Sequence, residues 1–186
     1  MFNQPIIPAV KSEDHLEAFI ASSAVIGILM NFDLMDLGKI IQKLQAHQKK
    51  VILHLELTRG LANDEFGAIF AIQVLRVDGL ISTKQKVIEI AKKRKVMGIY
   101  RLFLKDSMAF EANLRQLEHI KPDVIEVLPA IPKLIAQIKQ CTTAIIISGG
   151  LLFDDDEIKN ALAAGAASVT VSKIELWPKK KGPDHA

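Results

Sequence analysis

The sequence predicts an α/β fold, a compact TIM-like (β/α) barrel whose last helix is truncated or missing. Short apolar runs alternate with helical patterns about eight times, which is typical of a parallel sheet with helices outside. The runs are nearly continuously apolar, as strands buried on both faces should be. Such barrels have about 250 residues, and the shortage in this 186-residue chain falls at its end. An open, doubly wound sheet is the alternative fold.

The predicted elements follow one another in a regular βα order. Strands are predicted over residues 6–10, 25–30, 51–57, 79–82, 96–104, 124–128, 144–147 and 167–171. Helices are predicted between them, and Ser12, Asp33, Asn63 and Asp106 are the expected N-caps because their side chains can accept hydrogen bonds from free N–H groups. Residues 1–177 are expected to form a single barrel domain, and residues 178–186 a basic polar tail without fixed structure.

Composition excludes several classes of protein. Cys141 is the single cysteine, so neither an intramolecular disulfide nor a cysteine-rich zinc site can form. The N-terminal residues lack the pattern of a signal peptide, and no apolar run is long enough to span a bilayer, so a cytoplasmic protein is expected. The net charge of +3 permits a nucleic-acid or phosphorylated partner without requiring one.

The stretch from residue 144 to residue 173 predicts a phosphate site. Gly149 and Gly150 follow a strand, and the absence of a β-carbon lets backbone N–H groups approach an anion. In (β/α)8 barrels a phosphate site often lies in the loops after the last two strands. Ser172 and Lys173 follow the final strand and could add a hydroxyl and a positive charge. The simpler interpretation is that the two glycines only let the chain leave the strand.

Polar residues within apolar strands predict a polar centre. Because strand side chains alternate between faces, Glu56, Arg101 and Glu126 are expected to converge inside the barrel, with the Thr170 hydroxyl on the corresponding face of the last strand. Buried charges must be paired or meet a ligand. A structural Glu–Arg–Glu network and a ligand site therefore remain equally open, and one set of residues could serve as both. Ionised carboxylates accept hydrogen bonds, which suits the hydroxyl groups of a polyol.

No catalytic or metal signature accompanies these residues. His54 is expected to be an interior histidine with its hydrogen bonds satisfied, rather than a catalyst. A metal site at His54, Glu56 and Glu126 would have few nitrogen ligands, so no metal is predicted. The chain contains no GxSxG, P-loop, HExxH or complete GxGxxG motif.

Basic residues cluster where helices are predicted to end, at the bottom of the barrel. They are Lys49, Lys50, Lys92, Lys93, Arg94 and Lys95. Cations at helix C-termini are favoured by the helix dipole, which is one explanation. A shared basic rim could instead contact RNA phosphates. No aromatic residues are interleaved with these clusters, so stacking on single-stranded bases is not indicated.

Several motifs together resemble those of the glycerol uptake operon antiterminator regulatory proteins, over almost the whole chain. The motifs are NQPIIPAV, HLEL followed by Arg59-Gly60, DEFGA, Ile81-Ser82-Thr83, RLFLKDS, KPDVIEVLPA, SGG, ALAAGAASVTVS and Leu176-Trp177. RLFL and IEVLP together are quite specific, whereas SGG and AGA occur generally in phosphate-binding barrels.

The resemblance implies a barrel-like regulator without enzymatic activity or cofactor, whose effector is glycerol 3-phosphate. It also implies binding to leader mRNA, which suppresses a terminator ahead of glycerol-utilisation genes. The alternative is a barrel enzyme, an isomerase or transferase, that acts on a small phosphorylated polyol with Glu56 or Glu126 as general base. A missing eighth helix would leave an apolar surface, which suggests a homodimer.

Overall fold

Eight parallel strands close into a barrel in the computed structural model, which describes residues 3–180. Pairing of β1 with β8, with Ile7 opposite Thr170, closes the barrel and excludes an open sheet. The strands are β1 (Ile6–Val10), β2 (Ile26–Leu29), β3 (Lys50–His54), β4 (Gly79–Ser82), β5 (Met97–Phe103), β6 (Val124–Leu128), β7 (Ile145–Gly149) and β8 (Ser168–Val171). The helices within the described residues are α1 (Glu13–Ala21), α2 (Leu34–Ala46), α3 (Glu65–Gln73), α4 (Gln85–Lys93), α5 (Ser107–Ile120), α6 (Pro132–Cys141) and α7 (Asp155–Ala163).

The alternation of strand side chains produces two separate cores. One core lies between the strands and the outer helices, and Leu53, Leu102 and Val127 contribute to it from the outward faces of the strands. The other fills the barrel interior, mostly with branched aliphatic residues, which is why the barrel is packed rather than hollow. The interior set is Ile7, Ile28, Ile52, Ile81, Ile99, Val124 and Ile147. Arg101 and Glu126 each lie two residues beyond an interior residue, Ile99 and Val124, and so face inward on the carboxyl side of this apolar set.

The third strand is shorter than its apolar pattern predicts. It ends at His54, and Leu55–Leu57 form a 3₁₀ turn in which the N–H of Thr58 donates to the carbonyl oxygen of Leu55. The predicted strand over residues 51–57 is therefore wrong after residue 54. Glu56 consequently leaves the strand alternation, and its carboxylate turns toward the end of β4.

Two helix starts differ from the prediction in detail. Asp64, not Asn63, caps α3, because its carboxylate accepts hydrogen bonds from the N–H groups of Phe66 and Gly67, each at 2.9 Å. Asp33 precedes α2 as predicted, but its carboxylate makes no cap and instead pairs with Arg59 at 2.5 and 3.0 Å. Ser12 and Asp106 cap α1 and α5 as predicted.

A short segment replaces the last helix of a full barrel in the described residues. After β8, Ile174–Leu176 form a single 3₁₀ turn, and Trp177 then packs edge-on against His15 with 4% of its surface exposed. The Trp177 indole N–H donates to the carbonyl oxygen of Val171 at 2.8 Å. Trp177 thus covers part of the apolar surface expected beside a missing helix, and the homodimer stays a prediction.

The segment after Trp177 continues along the bottom of the barrel. The N–H of Ser23 donates to the carbonyl oxygen of Pro178 at 2.9 Å, and Lys179 forms an isolated antiparallel bridge with Ser22. The prediction of a tail without fixed structure is therefore wrong for Pro178 and Lys179, and residues 181–186 lie outside the described part of the chain. No helix within residues 3–180 is long and apolar enough to cross a bilayer.

Candidate functional site

A buried ion pair lies near the carboxyl ends of β5 and β6. The Nε of Arg101 donates to Oε2 of Glu126 at 2.5 Å, and the two residues face each other in strand register. The Thr170 hydroxyl donates to the other oxygen, Oε1, at 2.9 Å. Glu126 is fully buried and both of its oxygens are occupied, whereas 12% of the Arg101 side chain is exposed. Glu126 therefore holds Arg101 in place, and of the two side chains only that of Arg101 reaches the surface.

Glycine at position 149 makes room for this network. A β-carbon on Gly149, the last residue of β7, would lie 1.9 Å from the Thr170 hydroxyl oxygen, far closer than atoms can approach. From the sequence, the backbone N–H of Gly149 is predicted to contact an anion. The structure adds a packing role, because any larger side chain would displace the hydroxyl that Glu126 accepts.

Glu56 belongs to a second polar group on the neighbouring strands. Its Oε1 accepts hydrogen bonds from the Ser82 hydroxyl at 2.5 Å and from the N–H and hydroxyl of Thr83 at 2.7 and 3.1 Å. Burial alone would raise the pKa of Glu56, but the hydrogen bonds from Ser82 and Thr83 outweigh burial and hold that pKa below its usual value. Glu56 is therefore an ionised acceptor at neutral pH. Ser82 and Thr83 were not predicted as site residues, although a polar pair directly after a buried strand was the available signal.

His54 is buried without satisfied hydrogen bonds. Its side chain is the last of β3, the residue is 2% exposed, and neither ring nitrogen has a hydrogen-bond partner among the described residues. Nδ1 lies 3.5 Å from Oε2 of Glu56, at the outer limit of hydrogen bonding, and Oε2 likewise has no partner in the described part of the chain. Burial, and next the positive charge of Arg101, lower the pKa of His54 to about 4. His54 is thus a neutral imidazole, and the expectation of a satisfied histidine is wrong.

The predicted convergence of three charges is realised in two parts. Arg101, Glu126 and Thr170 form one group, and Glu56 with His54, Ser82 and Thr83 forms the other. Glu56 makes no ion pair with Arg101 within residues 3–180, because the 3₁₀ turn directs its carboxylate to β4. Arg101 lies on β5, which pairs with β4, and the register Ser82–Tyr100 places it next to the end of β4; its positive charge lowers the pKa of His54. We call these two groups together the mouth cluster.

The predicted phosphate loop follows β7 at the same end of the barrel. Gly150 is exposed and has φ of 77°, a left-handed conformation that glycine adopts without strain. Ser172 and Lys173 are exposed after β8, and the Lys173 ammonium donates to the carbonyl oxygen of Phe153 at 2.9 Å. Lys173 thus connects the loop after β8 to the loop after β7. The structure therefore places Gly150, Ser172 and Lys173 in two adjacent loops, with Gly149 buried at the end of β7.

The helix after this loop is unfavourable for an anion. Asp154 caps α7 with a hydrogen bond from the Glu157 N–H at 2.9 Å, and Asp155 and Asp156 follow in the first turn. Four carboxylates at the helix N-terminus already neutralise its dipole and repel further negative charge. An anion at this end would consequently have to bind the glycine loop and Lys173. Beside Gly150 lies a groove of about 450 Å³, lined mainly by apolar residues with Lys105 at its edge.

Lys49 does not belong to an accessible basic surface. The residue is 7% exposed, and its ammonium donates to the carbonyl oxygens of Ser22 and Ala24 at 2.8 and 2.6 Å. It also lies 4.9 Å from the centre of the Phe19 ring, a cation–π contact. Burial lowers the pKa of Lys49. The prediction of Lys49 as an RNA contact is therefore wrong, because its charge is used inside the protein.

The other predicted basic residues lie together at the amino ends of the strands. Lys50 begins β3, and Lys92, Lys93, Arg94 and Lys95 end α4 just before β5. Two further cations occupy equivalent positions: Arg76 before β4 and Lys121 before β6. Arg76, Lys95 and Lys121 all have left-handed backbones, with φ of 57°, 58° and 45°. We call these residues the basic rim: Lys50, Arg76, Lys92, Lys93, Arg94, Lys95 and Lys121.

No metal site accompanies the described residues, since residues 3–180 contain no group of three or more His, Cys, Asp or Glu side chains that could hold an ion.

The barrel resembles the solved structures of an antiterminator regulatory protein and of an antiterminator-related protein. The glycerol uptake operon antiterminator regulatory protein of Listeria monocytogenes is 32% identical, with a TM-score of 0.92 over 95% of this chain and 96% of that chain. A glycerol uptake operon antiterminator-related protein of Thermotoga maritima is 27% identical, with a TM-score of 0.83 over 95% and 99% of the two chains. Orotidine 5'-phosphate decarboxylase from Pyrococcus horikoshii, 18% identical with a TM-score of 0.67 over 90% and 88%, shares the fold alone.

Sequence comparison gives the same relationship. The uncharacterized protein YgcP of Escherichia coli is 29% identical over 174 residues, which are 93% of this chain and 91% of that protein. The model of the family described as glycerol-3-phosphate responsive antiterminator matches residues 6–177, from the first strand to the tryptophan that replaces the last helix. The chain therefore belongs to the glycerol-3-phosphate responsive antiterminators.

Proposed function

We propose that this protein is a glycerol-3-phosphate sensor that binds the leader mRNA of glycerol-utilisation genes and prevents termination of transcription. The observation that carries the proposal is the set of unsatisfied buried atoms at the barrel mouth: both ring nitrogens of His54 and Oε2 of Glu56, near the Arg101 guanidinium. Buried polar groups without partners are rare and require a reason. A small polyol at the strand carboxyl ends, where barrels bind ligands, supplies one.

The ligand would lie between the mouth cluster and the phosphate loop. Its phosphate would accept hydrogen bonds from the N–H groups of Gly149 and Gly150, and from Ser172, with Lys173 as a nearby positive charge. Its hydroxyl groups would meet Glu56 and the Arg101 guanidinium. Glu126 supports this arrangement from below, since both of its oxygens are already used by Arg101 and Thr170.

The basic rim is the surface we propose for RNA. It gathers seven cations at one end of the barrel, and neutralisation of RNA phosphates by such a surface releases counterions. The exposed phenylalanines of the described chain, Phe66, Phe70, Phe103 and Phe153, belong to none of the rim segments. The rim therefore offers charge without stacking platforms, which favours the phosphate backbone of a folded RNA stem over unpaired bases.

Ligand and RNA would then bind at opposite ends of the barrel. Strand β5 joins them, because Lys95 precedes it at the rim and Arg101 lies near its other end. A ligand can change RNA affinity only if it prefers the state that binds RNA. We propose that contact with Arg101 favours one position of β5 and so of the rim residues before it.

Titration of leader RNA tests this function. Fluorescence anisotropy would measure the affinity of the full chain for a labelled RNA that contains the terminator stem, with and without glycerol 3-phosphate. We expect binding to strengthen with the ligand, and Arg101→Met to remove the ligand response while RNA binding without ligand persists. Absent RNA binding, or binding that the ligand leaves unchanged in the wild-type protein, would overturn the proposal.

A catalytic function is the second candidate because of one feature, the neutral imidazole of His54 beside the Glu56 carboxylate. Such a pair can move a proton on a small phosphorylated polyol. Against it, hydrogen bonds lower the pKa of Glu56, which weakens it as a base. Incubating the protein with glycerol 3-phosphate and following the substrate by NMR separates the two functions, since turnover would favour the enzyme.

A further inference from the structure

The unsatisfied atoms of the mouth cluster have a definite hydrogen-bonding character. Among residues 3–180, the buried side-chain atoms without a partner are Nδ1 and Nε2 of His54, Oε2 of Glu56 and Oδ1 of Asn63, the last in the loop before α3. Three of these four atoms thus belong to two adjacent side chains. The neighbouring oxygen of Glu56, Oε1, already accepts three hydrogen bonds, so the carboxylate is oriented and only Oε2 is left for a ligand.

At least one of these atoms needs a hydrogen-bond donor from outside the pair. An ionised carboxylate accepts hydrogen bonds and cannot donate them. A neutral imidazole carries one donor and one acceptor nitrogen. If Nδ1–H is directed to Oε2 of Glu56, 3.5 Å away, Nε2 remains as an acceptor; in the other tautomer, Nδ1 and Oε2 are both acceptors facing each other. In either case at least one buried acceptor stays without a donor.

We propose that His54 and Glu56 make the site select a phosphorylated alcohol and reject the ketone of the same carbon skeleton. This inference rests on the proposed function and gives it a specificity: glycerol 3-phosphate would bind, and dihydroxyacetone phosphate would bind poorly. A hydroxyl group can accept from Arg101 and at the same time donate to Glu56 or His54. The ketone oxygen at the same carbon can accept from Arg101 but cannot donate, so the acceptor that this hydroxyl would meet stays unpaired, while the terminal hydroxyl is common to both compounds.

The size of the discrimination follows from the unpaired acceptor. Sites built to bind a hydroxyl discriminate strongly against analogues that lack it, because a buried polar group is then left without a partner. Arg101 contributes little to this difference, since a guanidinium donates equally to both kinds of oxygen. We expect glycerol 3-phosphate to bind at least about tenfold more tightly than dihydroxyacetone phosphate.

Replacement of Glu56 by glutamine is the sharpest test. The amide oxygen can keep the hydrogen bonds from Ser82 and Thr83, while the NH₂ group replaces Oε2 and supplies a donor to a ketone. Calorimetric titrations of the full chain with glycerol 3-phosphate, dihydroxyacetone phosphate and inorganic phosphate would be compared for wild type and Glu56→Gln. We expect the preference for the alcohol to fall to within about threefold in the variant. Glu118→Gln, an exposed change on α5, is the matched control and should keep the wild-type preference.

A second variant keeps the test decisive if Glu56→Gln fails to fold in a thermal denaturation scan. His54→Phe keeps a ring of similar size without nitrogen atoms and should reduce the preference while phosphate binding persists. Equal affinity of the wild-type protein for the alcohol and the ketone would overturn the selectivity and leave the effector intact. If neither compound binds more tightly than inorganic phosphate, the effector itself is overturned. An unchanged preference in a folded Glu56→Gln or His54→Phe protein would refute the role of that residue.

Discussion

The hydroxyl oxygen of Thr170 occupies the place that a β-carbon on Gly149 would need, since the two positions are 1.9 Å apart. That hydroxyl donates to the fully buried carboxylate of Glu126, which in turn holds Arg101 at the barrel mouth. Glycine at position 149 is thus needed for the observed position of Arg101, which lies two strands away on β5.

Gly149→Ala should therefore destabilise the barrel. Overpacking of a tight site costs about 1–3 kcal/mol of the free energy of unfolding. Gly38→Ala is the matched control, because a β-carbon there meets no atom within 4 Å and glycine within a helix is unfavourable by about 0.5–1 kcal/mol relative to alanine. Urea denaturation should show a loss for Gly149→Ala and a small gain for Gly38→Ala. Equal stability of Gly149→Ala and wild type would contradict the close packing against Thr170.

The Arg101–Glu126 pair should show strong coupling. Glu126→Gln leaves the guanidinium without its counter-charge in a largely buried place, and breaking a buried pair costs about 3–5 kcal/mol. Replacing both residues by methionine removes the charge as well as its partner, so the double variant should lose less stability than Glu126→Gln alone. Urea midpoints and slopes of the wild type, Arg101→Met, Glu126→Met and the double methionine variant give the coupling energy. Additive losses from the two positions would show that the pair is not coupled.

His54 should make stability depend on pH. Its pKa is about 4 in the folded protein and near 6.5 when exposed, so between these values the unfolded chain binds more protons than the native one. Stability is therefore complete above pH 6.5 and decreases as the pH falls toward 4. Between pH 7 and pH 5 the wild-type protein should lose about 2 kcal/mol more than His54→Gln. His119→Gln, at an exposed position, should keep the wild-type pH dependence. If His54→Gln kept the pH dependence of the wild-type stability, the proton uptake would belong to another group.

Two substitutions at position 150 separate the effect of a negative charge on ligand affinity from the effect of backbone strain. Any side chain there must accept φ of 77°, but the nearest atom to a β-carbon is 3.5 Å away, so the fold should persist. Asparagine and aspartate tolerate this conformation similarly. Gly150→Asp places a carboxylate beside the proposed phosphate and should reduce the affinity for glycerol 3-phosphate at least tenfold more than Gly150→Asn, roughly the effect of one unscreened like charge. Titration calorimetry measures both, and equal losses would move the phosphate away from this loop.

Lys49 and the rim lysines should behave differently when neutralised. Lys49→Met removes two hydrogen bonds from a buried ammonium and should lower the free energy of unfolding by about 1–3 kcal/mol without altering RNA affinity of the folded protein. Lys93→Gln with Lys95→Gln should leave stability nearly unchanged. It should weaken RNA binding and flatten its salt dependence by roughly one unit of slope per lost phosphate contact. An unchanged salt slope in the double variant would place the RNA surface elsewhere.

The barrel itself could be predicted from local pattern. Near-continuous aliphatic runs at regular spacing are compatible with little other than a parallel sheet covered by helices, and most element bounds agree within a residue or two. The pairing of Arg101 with Glu126 also followed from strand alternation, because both side chains stay within their strands and face inward. The likeness of nine motifs to one family pointed to the family that the comparisons identify.

Tertiary structure decided the partners of other polar residues, among them Glu56 and Lys49. Beside the 3₁₀ turn that follows His54, the Glu56 carboxylate accepts a hydrogen bond from Ser82, 26 residues later in the chain. The apolar periodicity of a single strand cannot predict a contact over that distance. The burial of Lys49 likewise arises because the carbonyl oxygens of Ser22 and Ala24, on the preceding connection, lie where its ammonium can reach them. Sequence pattern determines which faces are apolar, whereas the partners of a charge depend on which strands and loops closure of the barrel brings together.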